Sequence, residues 1–162
     1  MNNENKSTNK QEKKTIPIRD GLFTLPSLSQ EPYLIGNKCL SCGEHYFPKA
    51  MTCHKCKSLK DGGLEEAKLS RYGKLYTYGI VRVAPVGFTA PYAIGYIDLP
   101  EGLRVWSLIS ECDYNLLKIG MDMKLVVEKI KEDENGNDVV CYKFKPIQSN
   151  EQKTDDRQTD NR

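Results

Sequence analysis

Four of the six cysteines of this 162-residue chain lie within eighteen residues, as two Cys-x-x-Cys pairs. The first pair is Cys39 and Cys42, and the second is Cys53 and Cys56. Two cysteines separated by two residues fit one tight turn, so that both sulfurs can point to the same spot. A second such turn brought opposite the first completes a tetrahedron of thiolates. The spacing therefore predicts a metal centre with four cysteine ligands.

Zinc is the metal that this pattern favours, and iron in a Cys₄ site is the nearest alternative. A redox function of the Cys-x-x-Cys type is disfavoured, because neither pair opens a helix after a strand. Four thiolates leave no open coordination position for water or substrate, so we expect a structural ion. We interpret His45 and His54 as ordinary residues of the same segment rather than as substitute ligands.

After the cysteines the sequence changes to the alternation that is typical of β-strands. The pattern predicts five strands, at 69–84, 91–99, 103–110, 121–130 and 139–146. Gly73 and Gly79 suit bends or bulges in a strongly curved first strand. Strict alternation would place four residues of that strand on one face: Leu75, Thr77, Gly79 and Val81. Hairpin turns are expected at 100–102 and at Asn135-Gly136, and a short helical segment between the third and fourth strands.

The predicted fold class is mainly β, with an N-terminal arm and a rubredoxin-like zinc ribbon followed by a five-stranded OB-fold barrel. A small β-sandwich is the alternative, since a sequence does not show barrel closure. Both ends of the chain have too little apolar surface to repay ordering. The expected divisions are a disordered tail at 1–18, the arm and ribbon at 19–62, the OB-fold domain at 63–148 and a disordered tail at 149–162. Within the arm, residues 21–36 are expected to be partly helical.

The sequence contains no membrane or secretion signal that we recognise. No apolar run approaches the roughly 20 residues that a membrane span requires. The N-terminus is polar and lacks the apolar segment of a secretory signal. We therefore expect a cytoplasmic protein whose thiols stay reduced, which again favours metal binding over disulfides.

The charge distribution argues against nucleic acid, which is the usual partner of each predicted module considered alone. Residues 70–148 contain ten Lys/Arg and ten Asp/Glu. A protein that neutralises several phosphates needs a basic surface, because counterion release dominates that affinity. The ribbon, residues 36–60, has five lysines against Glu44 alone, and a Zn²⁺ ion with four thiolates would reduce this excess to about +2. That charge suits either one small anionic ligand or a solvated face, and a single-stranded nucleic-acid-binding module remains the alternative function.

Five segments of the chain together resemble one family, in order. They are NKCLSCGEHYFPKAMTCHKC, GKLYTYGIVRVAP, APYAIGYIDLPEGLRVWSLI, LKIGMDMKLVVE and YKFKP. The family is the zinc-ribbon and OB-fold family catalogued as domain of unknown function 35, and the resemblance covers about residues 21–147. Its most specific elements here are Cys-x-x-Cys-Gly, the proline before the second cysteine pair, and the Ile-Gly before the fourth strand. The sequence departs from the family near Glu66, where a tryptophan is common.

The resemblance implies an accessory subunit rather than a catalyst. Members are usually encoded with, and bound to, thiolase-like or hydratase-like enzymes of acyl-CoA metabolism. The large partner has the nucleophilic cysteine and the coenzyme A thioester chemistry, while the small subunit is a scaffold or contributes to the acyl-CoA channel. Within the family, the size and layout of this chain are similar to the small subunits of benzoylsuccinyl-CoA thiolases of anaerobic toluene degradation.

No self-sufficient catalytic set is found in the sequence, so we assign no catalytic residue. Cys141 lies within a predicted strand, and Cys112 has no neighbouring histidine to activate it. The loop at 84–92 joins the first two strands of the predicted barrel, a position that OB folds use for binding. We predict Phe88, Pro91 and Tyr92 as contacts to a ligand or partner, the alternative being a plain rigid connector.

Overall fold

The computed structural model describes residues 13–57, 63–85, 89–110 and 112–147. These ranges contain nine strands and one 3₁₀ turn, at Tyr114–Leu116. The strands are β1 (Thr15–Pro17), β2 (Ile35–Cys39), β3 (His45–Tyr46), β4 (Leu64–Lys68), β5 (Tyr72–Val81), β6 (Tyr92–Asp98), β7 (Arg104–Ile109), β8 (Asp122–Glu132) and β9 (Asp138–Pro146). Within the described part of the chain, no helix has the length and apolar character that a membrane crossing requires.

Strands β5 to β9 close into a barrel. β6 pairs antiparallel with β5 and with β7, β7 pairs parallel with β9, and β9 pairs antiparallel with β8. The circle is completed where Tyr72–Lys74 at the start of β5 pair with Asp122–Lys124 of β8. Closure leaves no free edge among these five strands. The predicted five-stranded OB-fold barrel is confirmed, and the sandwich alternative is excluded.

A β-bulge in β5 reverses which side chains face the barrel interior. The register of β5 against β6 shifts between Leu75 and Thr77. Leu75 is fully buried, but beyond the bulge Tyr78 and Ile80 are the residues that pack against the core. One inserted residue flips the phase of a strand, because side chains alternate with a period of two. The predicted sharing of one face by Leu75, Thr77, Gly79 and Val81 is therefore wrong.

The N-terminal segment differs from its prediction in two respects. Residues 21–34 form an irregular loop closed by a β-bridge between Phe23 and Leu34, so the expected helical character of the arm is wrong. Thr15–Pro17, assigned to a disordered tail, form β1 and pair in parallel with β9. Both segments use main-chain hydrogen bonds to other parts of the chain, which a local pattern does not show. Residues 1–12 and 148–162 lie outside the described residues.

The arm and the ribbon share one apolar core with the barrel. β2 pairs with β3 on one side and with β4 on the other, and β4 leads directly to Leu69. Leu34 and Leu69 are almost fully buried in the same cluster as the barrel residues. The rings of Phe23 and Phe47 both meet Tyr142 of β9 edge to face, at centroid distances of 5.8 and 5.6 Å. The position of the ribbon on the barrel is thus fixed by packing.

Gly36 lies where β2 passes closest to both β3 and the barrel. A Cβ placed on Gly36 would lie 2.6 Å from the Tyr46 carbonyl oxygen and 3.0 Å from Leu69 Cδ1. We expect Gly36→Ala to lower the free energy of unfolding by about 1–3 kcal/mol, because backbone must move to admit the methyl group. Gly79→Ala is the matched control, since no atom lies within 4 Å of its Cβ position. Urea denaturation of both variants measures the difference, and equal stabilities would contradict the close approach.

Candidate metal centre

The two cysteine pairs lie in turns of the same construction. The amide of Gly43 donates to the Cys39 carbonyl at 2.9 Å, and the amide of Lys57 donates to the Cys53 carbonyl at 3.1 Å. Both residues have positive φ, 76° for Gly43 and 52° for Lys57. A left-handed lysine is uncommon, because its Cβ crowds the backbone in that region. The second turn therefore adopts the shape of the first although its sequence lacks the glycine.

The four sulfurs meet in one cluster, in which all pairs lie within 4.8 Å. The Sγ atoms of Cys39 and Cys56 are 3.7 Å apart, and those of Cys42 and Cys53 are 3.6 Å apart. Sulfurs at about 2.3 Å from a tetrahedral zinc ion would be about 3.8 Å from one another. The donor set and its spacing therefore fit a tetrahedral Cys₄ metal site. Among the described residues, neither histidine belongs to this cluster.

Backbone amides favour the thiolate form that a metal requires at Cys39 and Cys53, whereas the pKa of Cys42, despite the Glu44 amide, is raised by burial and by its sulfur neighbours. The amide of Cys56 points to the Cys53 sulfur at 3.5 Å and is the main reason why the pKa of Cys53 falls to about 5. The amide of Cys42 lowers the pKa of Cys39 in the same way. Less free energy is then spent on deprotonating Cys39 and Cys53 when a metal binds.

Tyr46 joins the cluster through its hydroxyl group. The Tyr46 Oη atom lies 3.1 Å from the Cys53 sulfur, and it accepts hydrogen bonds from the amides of His54 at 3.0 Å and Lys55 at 3.4 Å. With both amides as donors, the hydroxyl proton is free to point to the sulfur. The His54 ring packs edge to face on Tyr46 at 5.7 Å. Tyr46 thus holds the second turn at its sulfur and at its backbone together.

We expect Tyr46→Phe to weaken zinc binding by about tenfold, because partners that orient a metal ligand typically affect affinity by this amount or more. Competition with a chromophoric chelator measures the affinity, and the thiolate charge-transfer band of the Co²⁺ form reports the ligand field. Tyr96→Phe is the control, since Tyr96 is an exposed barrel residue. Equal zinc affinity of Tyr46→Phe and wild type would contradict a role of the hydroxyl in the site.

Asn37 attaches the connection between the two cysteine pairs to β2. Its Nδ2 atom donates to the Ala50 carbonyl at 2.7 Å, and its Oδ1 accepts from the Ala50 amide at 3.2 Å. The side-chain amide of Asn37 is buried, and both its nitrogen and its oxygen thereby have a hydrogen-bond partner. The sequence analysis missed Asn37 and Tyr46, because nothing in the spacing connects them to the cysteines. An asparagine inside a short strand, where it is usually depleted, was the one available signal.

Two of the three predicted contact residues, Pro91 and Tyr92, lie at the start of β6 in the barrel and not in the ribbon. Phe88 lies outside the described residues. Pro91 is exposed, and its carbonyl accepts a hydrogen bond from the Tyr114 hydroxyl at 3.2 Å. Tyr92 begins β6 and pairs with Val81. The connection between β5 and β6 is therefore anchored at its second end, and its role in binding stays a prediction.

The two cysteines outside the cluster have the character of packing residues. Burial raises the pKa of Cys112 and of Cys141, so both are less nucleophilic than a free thiol at neutral pH. The two carboxylates that flank the turn between β6 and β7, Asp98 and Glu101, both have partners. Asp98 forms a two-pronged pair with Arg104 at 2.6 and 3.0 Å, and Glu101 accepts from the Ser70 amide at 2.6 Å.

A four-cysteine ribbon packed on a closed OB barrel defines a two-module class of zinc-ribbon and OB-fold protein. Two family models match the chain in this order. Residues 30–61 match "ChsH2, rubredoxin-like zinc ribbon domain" and residues 66–128 match "ChsH2, C-terminal OB-fold domain". Together they cover more than half of the chain. The chain belongs to the ChsH2-type family of DUF35 proteins.

Curated relatives support the same assignment. A DUF35 domain-containing scaffold protein of Methanocaldococcus jannaschii is 44% identical over 119 residues, which cover 72% of this chain and 83% of the relative. The benzoylsuccinyl-CoA thiolase subunit BbsA of Thauera aromatica is 32% identical over 126 residues, covering 78% and 85%. A chain of the solved Ltp2-ChsH2(DUF35) aldolase covers 70% of this chain and 84% of its own length at 22% identity, with a TM-score of 0.59. This last likeness shows the fold.

Proposed function

We propose that the protein is a non-catalytic, zinc-binding subunit of a heteromeric thiolase-type acyl-CoA enzyme, and that it acts as a scaffold for the catalytic subunit. Relatives named as a thiolase subunit and as scaffold proteins support this function. The resemblance to the small subunits of benzoylsuccinyl-CoA thiolases makes that reaction the first one to test. Identity with these relatives is about one third or more over most of their length.

The observation that carries the proposal is the closed set of four sulfurs. Cys39, Cys42, Cys53 and Cys56 would occupy all four positions of a tetrahedral zinc ion. Such an ion would cross-link the two turns, because each turn provides two of its ligands. It would have no coordination position left for a substrate. The surrounding residues act in the same direction, since Tyr46 and the turn amides hold the sulfurs in place. The site is therefore suited to stabilising the ribbon.

A contribution to the acyl-CoA site is the finer part of the proposal. We assign it to the connection between β5 and β6, which ends at Pro91, and to Tyr92, the first residue of β6. The ribbon is less suited to coenzyme A phosphates than its composition indicates. Lys49 pairs with Glu66 at 2.6 Å, and Lys55 pairs with Glu44 at 2.5 Å. These ion pairs reduce the positive charge that the ribbon can offer to an anion.

Co-expression with a thiolase-like catalytic subunit from the same genome tests the proposal, and the products of neighbouring genes are the first candidates. We expect a stoichiometric complex that has thiolase activity, whereas this chain alone has none and the large subunit alone has little. Acyl-CoA cleavage by each preparation and the mass of the complex are the measurements. Full activity of the large subunit without this chain, or turnover by this chain alone, would refute the accessory role.

A further inference from the structure

The outer surface of the β6–β7 hairpin is unusually apolar. Tyr96 of β6 pairs with Trp106 of β7, and Ile94 pairs with Leu108. Their chain neighbours Gly95, Ile97, Val105, Ser107 and Ile109 are buried and face the barrel interior. Side chains alternate along a strand, so Ile94, Tyr96, Trp106 and Leu108 face outwards. The hairpin is apolar on both faces, whereas an antiparallel strand with one solvated face usually alternates with polar residues.

Tyr76 of β5 extends this surface to a third strand. It is the residue inserted at the bulge, between Leu75, which pairs with Ile97, and Thr77, which pairs with Tyr96. Tyr76 is exposed and points outwards, whereas its neighbour Leu75 is fully buried inside. The Arg104 guanidinium lies over the Tyr76 ring at 3.1 Å from the centroid and is held there by Asp98. We call Tyr76, Ile94, Tyr96, Trp106 and Leu108 the aromatic face. Its three rings remain 47%, 43% and 48% exposed for Tyr76, Tyr96 and Trp106.

The two terminal segments offer little that would cover the aromatic face. The terminal segments 1–12 and 148–162 contain one apolar side chain between them, that of Met1. Contiguous exposed apolar surface of this kind marks interaction sites on soluble proteins, and tyrosine and tryptophan are the side chains enriched there. We therefore consider which partner fits the face.

The charges around the aromatic face are already paired with one another. Arg104 is bound to Asp98, Lys74 lies 2.7 Å from Asp122, and Lys143 lies 3.1 Å from Glu128. Exposed rings can stack on nucleobases, but affinity for a nucleic acid also needs cations that are available to phosphates. A rim without net charge is complementary to a neutral, apolar protein surface.

The area of the aromatic face decides between a second copy and a larger partner. Three half-exposed rings offer on the order of 300 Å², taking about 150–250 Å² for each fully exposed ring. A stable interface buries about 800 Å² on each partner. Two convex barrels that meet only through this face would fall well short of that area. A larger subunit can cover the aromatic face together with its surroundings.

We propose that the aromatic face is the surface on which the enzyme subunit docks, with Trp106 and Tyr96 as its central anchors. This inference rests on the proposed function and adds the surface through which it operates. Apolar side chains of the enzyme subunit cover the rings, and the paired charges form the rim. The metal centre then stabilises the ribbon, while the barrel provides the contact.

The only tryptophan of the chain lies in this face, so it serves as a specific probe. We expect a single ¹⁹F resonance from protein labelled with 5-fluorotryptophan, exposed to a soluble gadolinium agent in the free chain. Addition of the unlabelled thiolase-like catalytic subunit used in the co-expression test should shift the resonance and protect it from the agent. This measurement uses the intact chain and needs no substitution.

Variants provide the quantitative test. Tyr96→Lys and Trp106→Lys each place a charge in the contact, and we expect at least tenfold weaker binding, roughly the effect of removing an aromatic anchor. Leu28→Lys is the control, since Leu28 is fully exposed in the arm and outside the aromatic face. Both anchors are about half exposed, so circular dichroism should show folded variants.

The outcomes separate the inference from the proposed function. The complex could form while the ¹⁹F resonance stays accessible to the gadolinium agent, or the two anchor variants could bind as tightly as the Leu28→Lys control. Either result would show that the aromatic face is not the docking surface, and the accessory function would stand. If no complex forms, the function falls and the inference with it. Protection of the label in a dimer of the isolated chain would identify a second copy as the occupant. A salt-dependent shift on adding single-stranded oligonucleotide would identify a nucleic acid, and either result overturns the proposal.

Discussion

Cys39→Ser should abolish stoichiometric zinc binding and unfold the ribbon, whereas Cys141→Ser should leave both unchanged. Cys39 is buried at the end of β2 and lies in the cluster of four sulfurs, while Cys141 lies in β9 outside it. Structural zinc sites bind with an apparent free energy of about 10–16 kcal/mol, which is also folding free energy. Loss of one cysteine ligand should therefore remove much of this binding free energy. Zinc content by mass spectrometry and thermal unfolding are the measurements.

Removal of the metal by a strong chelator should reproduce the Cys39→Ser result in the wild type. The ribbon shares its core with the barrel through Leu34, Leu69 and Phe47, so we expect the barrel to lose stability as well. If the ion has the structural role that we propose, the proposed enzyme subunit should also bind more weakly, without any change in intrinsic chemistry. A variant that binds zinc fully at three cysteines, or that stays folded and loses only a reaction rate, would contradict this role.

Phe144→Ala should lower the free energy of unfolding by about 3–5 kcal/mol, the usual cost of removing a buried phenylalanine. Phe144 is fully buried where β9 pairs with both neighbours, opposite Ile109 of β7 and Leu125 of β8. The alanine would leave a cavity at the only parallel pairing in the closed barrel. Ile119→Ala is the control, because Ile119 is largely exposed and should change stability by less than about 0.5 kcal/mol.

Urea denaturation followed by circular dichroism measures both variants. A loss for Phe144→Ala that is no larger than the loss for Ile119→Ala would mean that the barrel is not closed through β9. Bound enzyme subunit should raise the stability of wild type and both variants by a similar amount, because a partner that binds only the folded state stabilises it and neither substitution lies in the aromatic face.

Much of the fold was predictable because its signals are local. The strands predicted at 91–99, 103–110 and 139–146 correspond to β6, β7 and β9 within one residue at each end. The turns at Gly102 and Gly136 have the positive φ that their glycines predict. The four cysteines could also be grouped from sequence, since each pair is set by the geometry of a single turn.

The arm and the orientation of the first barrel strand could not be predicted in this way. The helical signal near residues 27–33 is weak. The conformation of the arm is decided instead by main-chain pairing between its two ends, where Phe23 bridges Leu34 and the Thr24 amide donates to the Tyr33 carbonyl. In β5, alternation holds as far as Leu75 and then fails. A bulge depends on how the neighbouring strand is aligned, and no residue of β5 by itself determines that alignment.

The sequence alone therefore determined the set of four cysteines, the order of the strands and the balance of acidic and basic residues, because spacing, alternation and composition can be read from the sequence itself. Only the tertiary structure decided that Tyr46 contacts the Cys53 sulfur and that Tyr76, Tyr96 and Trp106 form one exposed face. These contacts join residues on different strands or turns. Their distances depend on strand register and on the β5 bulge, which are fixed when the barrel closes.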